Sequence, residues 1–234
     1  LTRPGDRHSP WFWPAICLGL AGLFLLLLWL DPVIESYFHS LRQTPQGYDV
    51  VFWRNLMDGS KYLGRGLTQF LFAVVIFGLG LWLGYQPLKR LGLCAATTVA
   101  LSGLANTILK FAVGRPRPRM HYFAHTLGYQ WETFSSLFNM RAAKATHLPL
   151  MGPSFLADFS SFPSGHAMTS FALAVVLARV MPRQRVLFYG LAAYISVFRV
   201  VGSSHFASDV LAGAVLGMAI GWLLAGPVFH LSRD

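Results

Sequence analysis

The sequence predicts an all-α protein, a polytopic bundle of six transmembrane helices. Three observations predict it: 54% of the 234 residues are hydrophobic, only 12% are charged, and uncharged apolar runs recur between short basic connections. A soluble globular domain carries about 25% charged residues, so this deficit argues for lipid as the solvent. The mean hydropathy of +0.49 agrees.

Residues 11–30 and 67–85 are uncharged apolar runs, each close to the roughly 20 residues a helix needs to cross the hydrocarbon core. The chain is too short to bury several such helices in soluble cores. The first run follows Arg3 and Arg7, as a secretory leader would. It is too long for a leader core, and Asp31 and Pro32 close it where a small-residue cleavage site belongs, so it reads as a span. Further spans are expected at 67–86, 91–109, 165–181, 186–203 and 209–229. The fifth has the shortest uncharged stretch, 186–198, and crosses only with Arg199 at the far interface. In the last span Gly213, Gly217 and Gly221 share one face, which indicates close helix packing. Cys17 and Cys94 fall inside spans and behave there as small apolar residues. The whole chain, 1–234, forms a single membrane-embedded domain on this reading.

Lys89 and Arg90 between spans two and three, Arg183 and Arg185 between four and five, and the arginines of both termini are cytoplasmic by the positive-inside rule. Segments 31–66, 110–164 and 199–208 then face outward, into the periplasm if the membrane is the bacterial inner one. Lys110, Arg115, Arg117, Arg119, Arg141 and Lys144 lie on that outer side against the rule, a topological cost which suggests that they bind something. The net charge of +10 otherwise suits loops facing anionic headgroups, with the bilayer and not nucleic acid as partner. Residues 119–162 mix aromatics with His and Arg, as a lid over a lipid site or an amphipathic connector would.

Three clusters meet on the outer face: KFAVGRPRP at 110–118, PSGH at 163–166 and RVVGSSHFASD at 199–209. Helix parity brings them together, because spans four and five form a hairpin whose ends, Gly165 and Arg199, return to one surface. Lys110, Arg117 and Arg199 supply fixed cations, and Ser164 with Gly165 starts a helix whose N–H groups aim at an anion. The result is a phosphate pocket. His205 and Asp209 are four residues apart, so on a helix beginning near Ser203 they lie within hydrogen-bond reach. The carboxylate would fix the imidazole tautomer while the other nitrogen attacks phosphorus. His166 is placed to protonate the leaving alkoxide.

Each cluster alone has a blander explanation as a surface pair, a capped turn or a stiff basic linker. Their conjunction resembles the three signature motifs of the type 2 phosphatidic acid phosphatase family, K-x6-RP, PSGH and SR-x5-H-x3-D. Lys110, Arg117 and Pro118 match the first, residues 163–166 the second, and Arg199, His205 and Asp209 the third. Phe198 stands where the family has serine, with Ser196 nearby but not equivalent. The resemblance implies a metal-independent reaction without cofactor through a phosphohistidine at His205, oriented by Asp209, with His166 as general acid. It also implies that Lys110, Arg117, Arg199, Ser164 and the Gly165 amide hold the phosphoryl group. Asp209 is the one carboxylate in the three motifs, too few for a two-metal site.

The expected substrate is a phosphorylated membrane lipid: undecaprenyl diphosphate, phosphatidylglycerol phosphate, phosphatidic acid or the phosphates of lipid A. The motifs read the phosphate and not the lipid. A lipid-to-lipid phosphotransferase of the same family shares every motif. An anion transporter on the same bundle would leave His205 and Asp209 without a role, and the soluble vanadate-dependent haloperoxidases, which share the pocket, lack such spans. Oligomeric state has no signature in the sequence.

Overall fold

The computed structural model describes residues 12–43, 51–119 and 160–230, and every regular element there is helical. The helices are α1 (Phe12–Gln43), α2 (Val51–Leu63), α3 (Gly66–Trp82), α4 (Gln86–Val113), α5 (Gly165–Val180), α6 (Arg185–Val201) and α7 (Ala207–His230); a 3-10 turn at Pro182–Gln184 precedes α6. The six apolar runs fall on α1 and on α3 to α7. The chain is a multi-span membrane protein. Windows in α1, α4, the 3-10 turn with α6, and α7 are long and apolar enough to cross a bilayer, and α2 with α3 qualifies as a pair bent by 60°. At 16 residues α5 covers only about 24 Å, short of the roughly 30 Å hydrocarbon core.

Two expectations need correction. The helix does not close at Asp31 and Pro32, because α1 continues past both to Gln43, about three more turns. Proline removes one backbone bond, yet Asp31 finds a buried partner across the bundle that holds the helix in place. The second correction is α2, which lies within what reads in sequence as an outward connection. The possible lid falls almost wholly outside the described residues.

α1 is polar on its inner side. Among its described side chains only Asp31 and Glu35 are buried, whereas Leu18 and Trp29 are 74% and 71% exposed. A soluble helix does the opposite; apolar residues facing out and acids facing in suit a lipid solvent.

α5 occupies the centre, packed against α4, α6 and α7. A Cβ on Gly213, Gly217 or Gly221 would collide with the carbonyl oxygen of Ser164, Met168 or Ala172, so the glycine stripe lets the α7 and α5 backbones touch. Ala73, Cys94, Ala95, Val99, Val176 and Ala225 form an apolar core between α3, α4, α5 and α7. Small residues again permit close approach, and this core seats the C-terminal half of α5.

Candidate active site

The three motifs converge where α4 and α6 end and where α5 and α7 begin. α4 stops at Gly114, which takes the left-handed conformation (φ 63°, ψ 28°) and donates its N–H to the Lys110 carbonyl at 2.9 Å. That geometry favours glycine, and it ends α4, leaving Arg115 and Arg117 in the irregular segment that follows. The Arg115 carbonyl accepts the Ser161 N–H at 2.9 Å, and the Asp209 carbonyl accepts the Ser164 N–H at 3.0 Å. Main-chain bonds therefore tie the second motif to the first and third.

His205 is 2% exposed. Its Nδ1 lies 2.7 Å from the Ser161 carbonyl oxygen, and a carbonyl can only accept, so the proton sits on Nδ1 and Nε2 carries the lone pair. Asp209 Oδ2 stands 3.8 Å from Nδ1, too far for a hydrogen bond. The expected direct bond is thus replaced by an ion-pair distance and an intermediary. Ser161 Oγ donates to Asp209 Oδ2 at 2.5 Å, and the Phe206 N–H donates to the same oxygen at 2.9 Å. Burial, aided by the Arg117 cation, pushes the His205 imidazole down to about 4 against the opposing pull of Asp209.

Arg115 is the centre of a second, fully buried shell. Its Nη1 donates to Asp209 Oδ1 at 2.5 Å and to Ser208 Oγ at 2.7 Å, and its Nη2 donates to Asp31 Oδ2 at 3.0 Å. Its guanidinium carbon lies 4.2 Å from the centre of the Phe206 ring. Arg199, 6% exposed, donates through Nη2 to Ser60 Oγ at 2.7 Å and to the Met57 carbonyl at 3.3 Å, so α2 fixes it. Its Nε has no partner among the described residues. Phe198 packs against Tyr194 and Trp53, with ring centres 5.0 and 6.4 Å away. A hydroxyl near Arg199 thus comes from Ser60 on α2, while position 198 serves packing.

Arg117 Nη1 donates to the Ser204 carbonyl at 3.4 Å. Lys110 is within electrostatic reach of Arg117 and Asp209, and His166 of Arg199, His205 and Lys110. Ser164 Oγ and His166 Nε2 are buried and unpartnered among the described residues. Buried polar groups seldom stay so, and together with Arg199 Nε they leave unmet hydrogen-bonding capacity at this end of the bundle. Gly165 abuts α4, since a Cβ there would sit 2.8 Å from Asn106 Nδ2. The predicted site residues are therefore brought to one end of the bundle.

Sequence reasoning missed Asp31, Glu35, Ser60, Asn106, Ser161 and Ser208, and gave Arg115 no specific place. Two signals were available. Asp31 and Glu35 sit a helical turn apart at the end of an apolar run, and Thr98, Ser102, Asn106 and Lys110 recur every four residues along α4.

The fold and this constellation define a class: a helical membrane protein that gathers a buried histidine, a carboxylate and several cations at one end of the bundle. The chain belongs to the PAP2 superfamily, whose family model matches residues 91–231. It is 34% identical to the lipid A 1-phosphatase of Rhizobium etli over 199 residues, 74% of this chain and 76% of that protein. The lipid A 1-phosphatase of Rhizobium johnstonii is also 34% identical, over 74% of this chain and 72% of its own length. The probable diacylglycerol pyrophosphate phosphatase 1 of Schizosaccharomyces pombe is 28% identical over 75% of this chain and 68% of that one. In fold, the chain resembles the crystal structure of a transmembrane PAP2-type phosphatidylglycerolphosphate phosphatase from Bacillus subtilis. The TM-score is 0.59 at 21% identity, covering 92% of this chain and 97% of the other.

Proposed function

We propose that the protein is a lipid phosphatase that removes phosphate from a phosphomonoester or diphosphate of a membrane lipid, through a phosphohistidine at His205. The observation that carries this reading is the commitment of His205 Nδ1–H to the Ser161 carbonyl, which leaves the Nε2 lone pair for attack. As the N–P bond forms, the lipid–oxygen–phosphorus bond breaks, and His166 donates a proton to the departing oxygen. Water then attacks phosphorus, gives its proton to His166, and frees both inorganic phosphate and His205. Lys110, Arg117, Arg199, Ser164 Oγ and the Gly165 N–H hold the phosphoryl oxygens throughout. Metal is not required in this scheme, because protein cations neutralise the developing charge.

Six helices cross the membrane in this reading, the short α5 doing so enclosed by α4, α6 and α7, with both termini cytoplasmic and the site on the periplasmic side of a bacterial inner membrane. The names of the relatives all contain a phosphorylated lipid, and the two rhizobial ones favour the 1-phosphate of lipid A as substrate.

The test is phosphate release by purified protein in detergent from lipid A 1-phosphate, undecaprenyl diphosphate, phosphatidylglycerol phosphate and phosphatidic acid, each with and without chelator. Release in chelator, fastest from lipid A, is expected, as is its loss in His205→Ala. Release retained by that variant would reject the nucleophile, release that needs a second lipid acceptor would indicate a phosphotransferase, and silence on all four lipids would reject the phosphatase.

A further inference from the structure

We propose that Asp31 and Glu35 of α1 are positioning residues for the nucleophile, gripping the His205 loop from both sides. Neither lies within the region that the family model matches, 91–231. The two acids are four residues apart, and so on one face of the helix. They are 2% and 3% exposed.

On one side of His205, Asp31 accepts the Ser208 N–H through Oδ1 at 3.1 Å and the Ser208 hydroxyl through Oδ2. The same carboxylate holds Arg115, whose other amino group reaches Asp209 at 2.5 Å. On the other side Glu35 Oε1 accepts the Ser203 hydroxyl, and Arg42 donates to both Ser203 Oγ and Glu35 Oε1. Ser203 has φ 46°, in the left-handed region. A non-glycine residue keeps that conformation only where its surroundings hold it. The loop between these anchors carries His205 and no regular structure of its own until α7 begins at Ala207.

In-line attack needs Nε2 on the axis of the breaking bond, and a displacement of about 1 Å can cost about a hundredfold in rate. Two anchors on one helix fix the loop's position and tilt. The acids touch neither substrate nor phosphorus, so they act on turnover and not on affinity. This inference rests on the phosphatase reading.

The experiment measures kcat and KM on whichever lipid of the panel the wild type hydrolyses, for Asp31→Ala, Asp31→Asn, Glu35→Ala, Glu35→Gln and Ser203→Ala, with folding followed by gel filtration and thermal unfolding. In folded alanine variants kcat should fall by about tenfold to a hundredfold with KM changed by no more than about threefold. Asn and Gln, which keep an acceptor oxygen, should restore part of the rate. Glu35→Ala combined with Ser203→Ala should be no slower than the slower single variant, because both remove one contact. If alanine at 31 or 35 prevents folding, Ser203→Ala decides, since it removes the hydroxyl that Glu35 holds and leaves that acid its arginine, while Ser208→Ala, whose N–H stays on Asp31, should cost less. Folded variants with wild-type kcat, or losses at 35 and 203 that multiply, would overturn the clamp while the phosphatase stands. A wild type inactive on every lipid would overturn both.

Discussion

Ser161 stands between His205 and Asp209: its carbonyl takes the imidazole Nδ1–H at 2.7 Å, and its hydroxyl donates to the carboxylate at 2.5 Å. The carboxylate itself is 3.8 Å from the ring. Asp209 therefore acts on the His205 ring through Ser161 and by its field, more than by a direct bond.

Substituting Ser161 by Ala leaves the carbonyl and removes the hydroxyl. The loss of one charge-assisted bond, about 1.5 kcal/mol, predicts a kcat lower by roughly tenfold with little change in KM. Asp209→Asn should cost more, about a hundredfold or above, because the field that favours imidazolium goes with it and Arg115 loses a partner. Steady-state phosphate release on both variants checks the order.

The depressed His205 value of about 4 fixes the sign of a pH effect. The unfolded chain takes up this proton near the ordinary 6.5 while the folded chain refuses it until about 4. Between these values the unfolded state binds more protons, so stability falls as pH falls through that window. Thermal unfolding between pH 7 and 4 should show this slope, reduced in His205→Gln. On activity, the acid limb that His205 contributes to kcat/KM of the free enzyme should lie near 4 and not near 6.5.

Ser60 holds Arg199 at 2.7 Å. Ser60→Ala should lower kcat/KM by roughly tenfold through a less fixed guanidinium. Phe198→Ser should not compensate, because α2 would still lack its hydroxyl and the contact with Tyr194 and Trp53 would be lost. Kinetics of the two single variants and the double variant test this.

Gly217 faces the Met168 carbonyl with no space for a Cβ, whereas a Cβ at Gly22 meets nothing within 4 Å. Gly217→Val should destabilise by about 1 to 3 kcal/mol or prevent assembly, and Gly22→Ala should be silent. Detergent thermal-unfolding midpoints provide the comparison.

The apolar runs, the three motifs and the glycine stripe were legible because each is a local pattern with a fixed spacing. Asp31 was not, since an acid followed by proline after an apolar run looks like an interface. What makes it interior is Arg115, 84 residues away along the chain. Ser161 was hidden for a related reason: its main chain does the orienting, and any residue has a carbonyl. The role of Ser60 was beyond reach because it lies on α2, a short helix with charged and polar residues among its apolar ones, in a segment that looks like a connection.

The inward acids of α1 also bear on biogenesis. A nascent chain reaches the membrane helix by helix, and α1 emerges long before Arg115, Ser203 and Ser208 exist to receive Asp31 and Glu35. Until then its two acids have no partners on the rest of the bundle, an arrangement the hydrocarbon tolerates poorly. The contacts of Asp31 and Glu35 with Ser208 and Ser203 can therefore form only once the chain has been made as far as the start of α7.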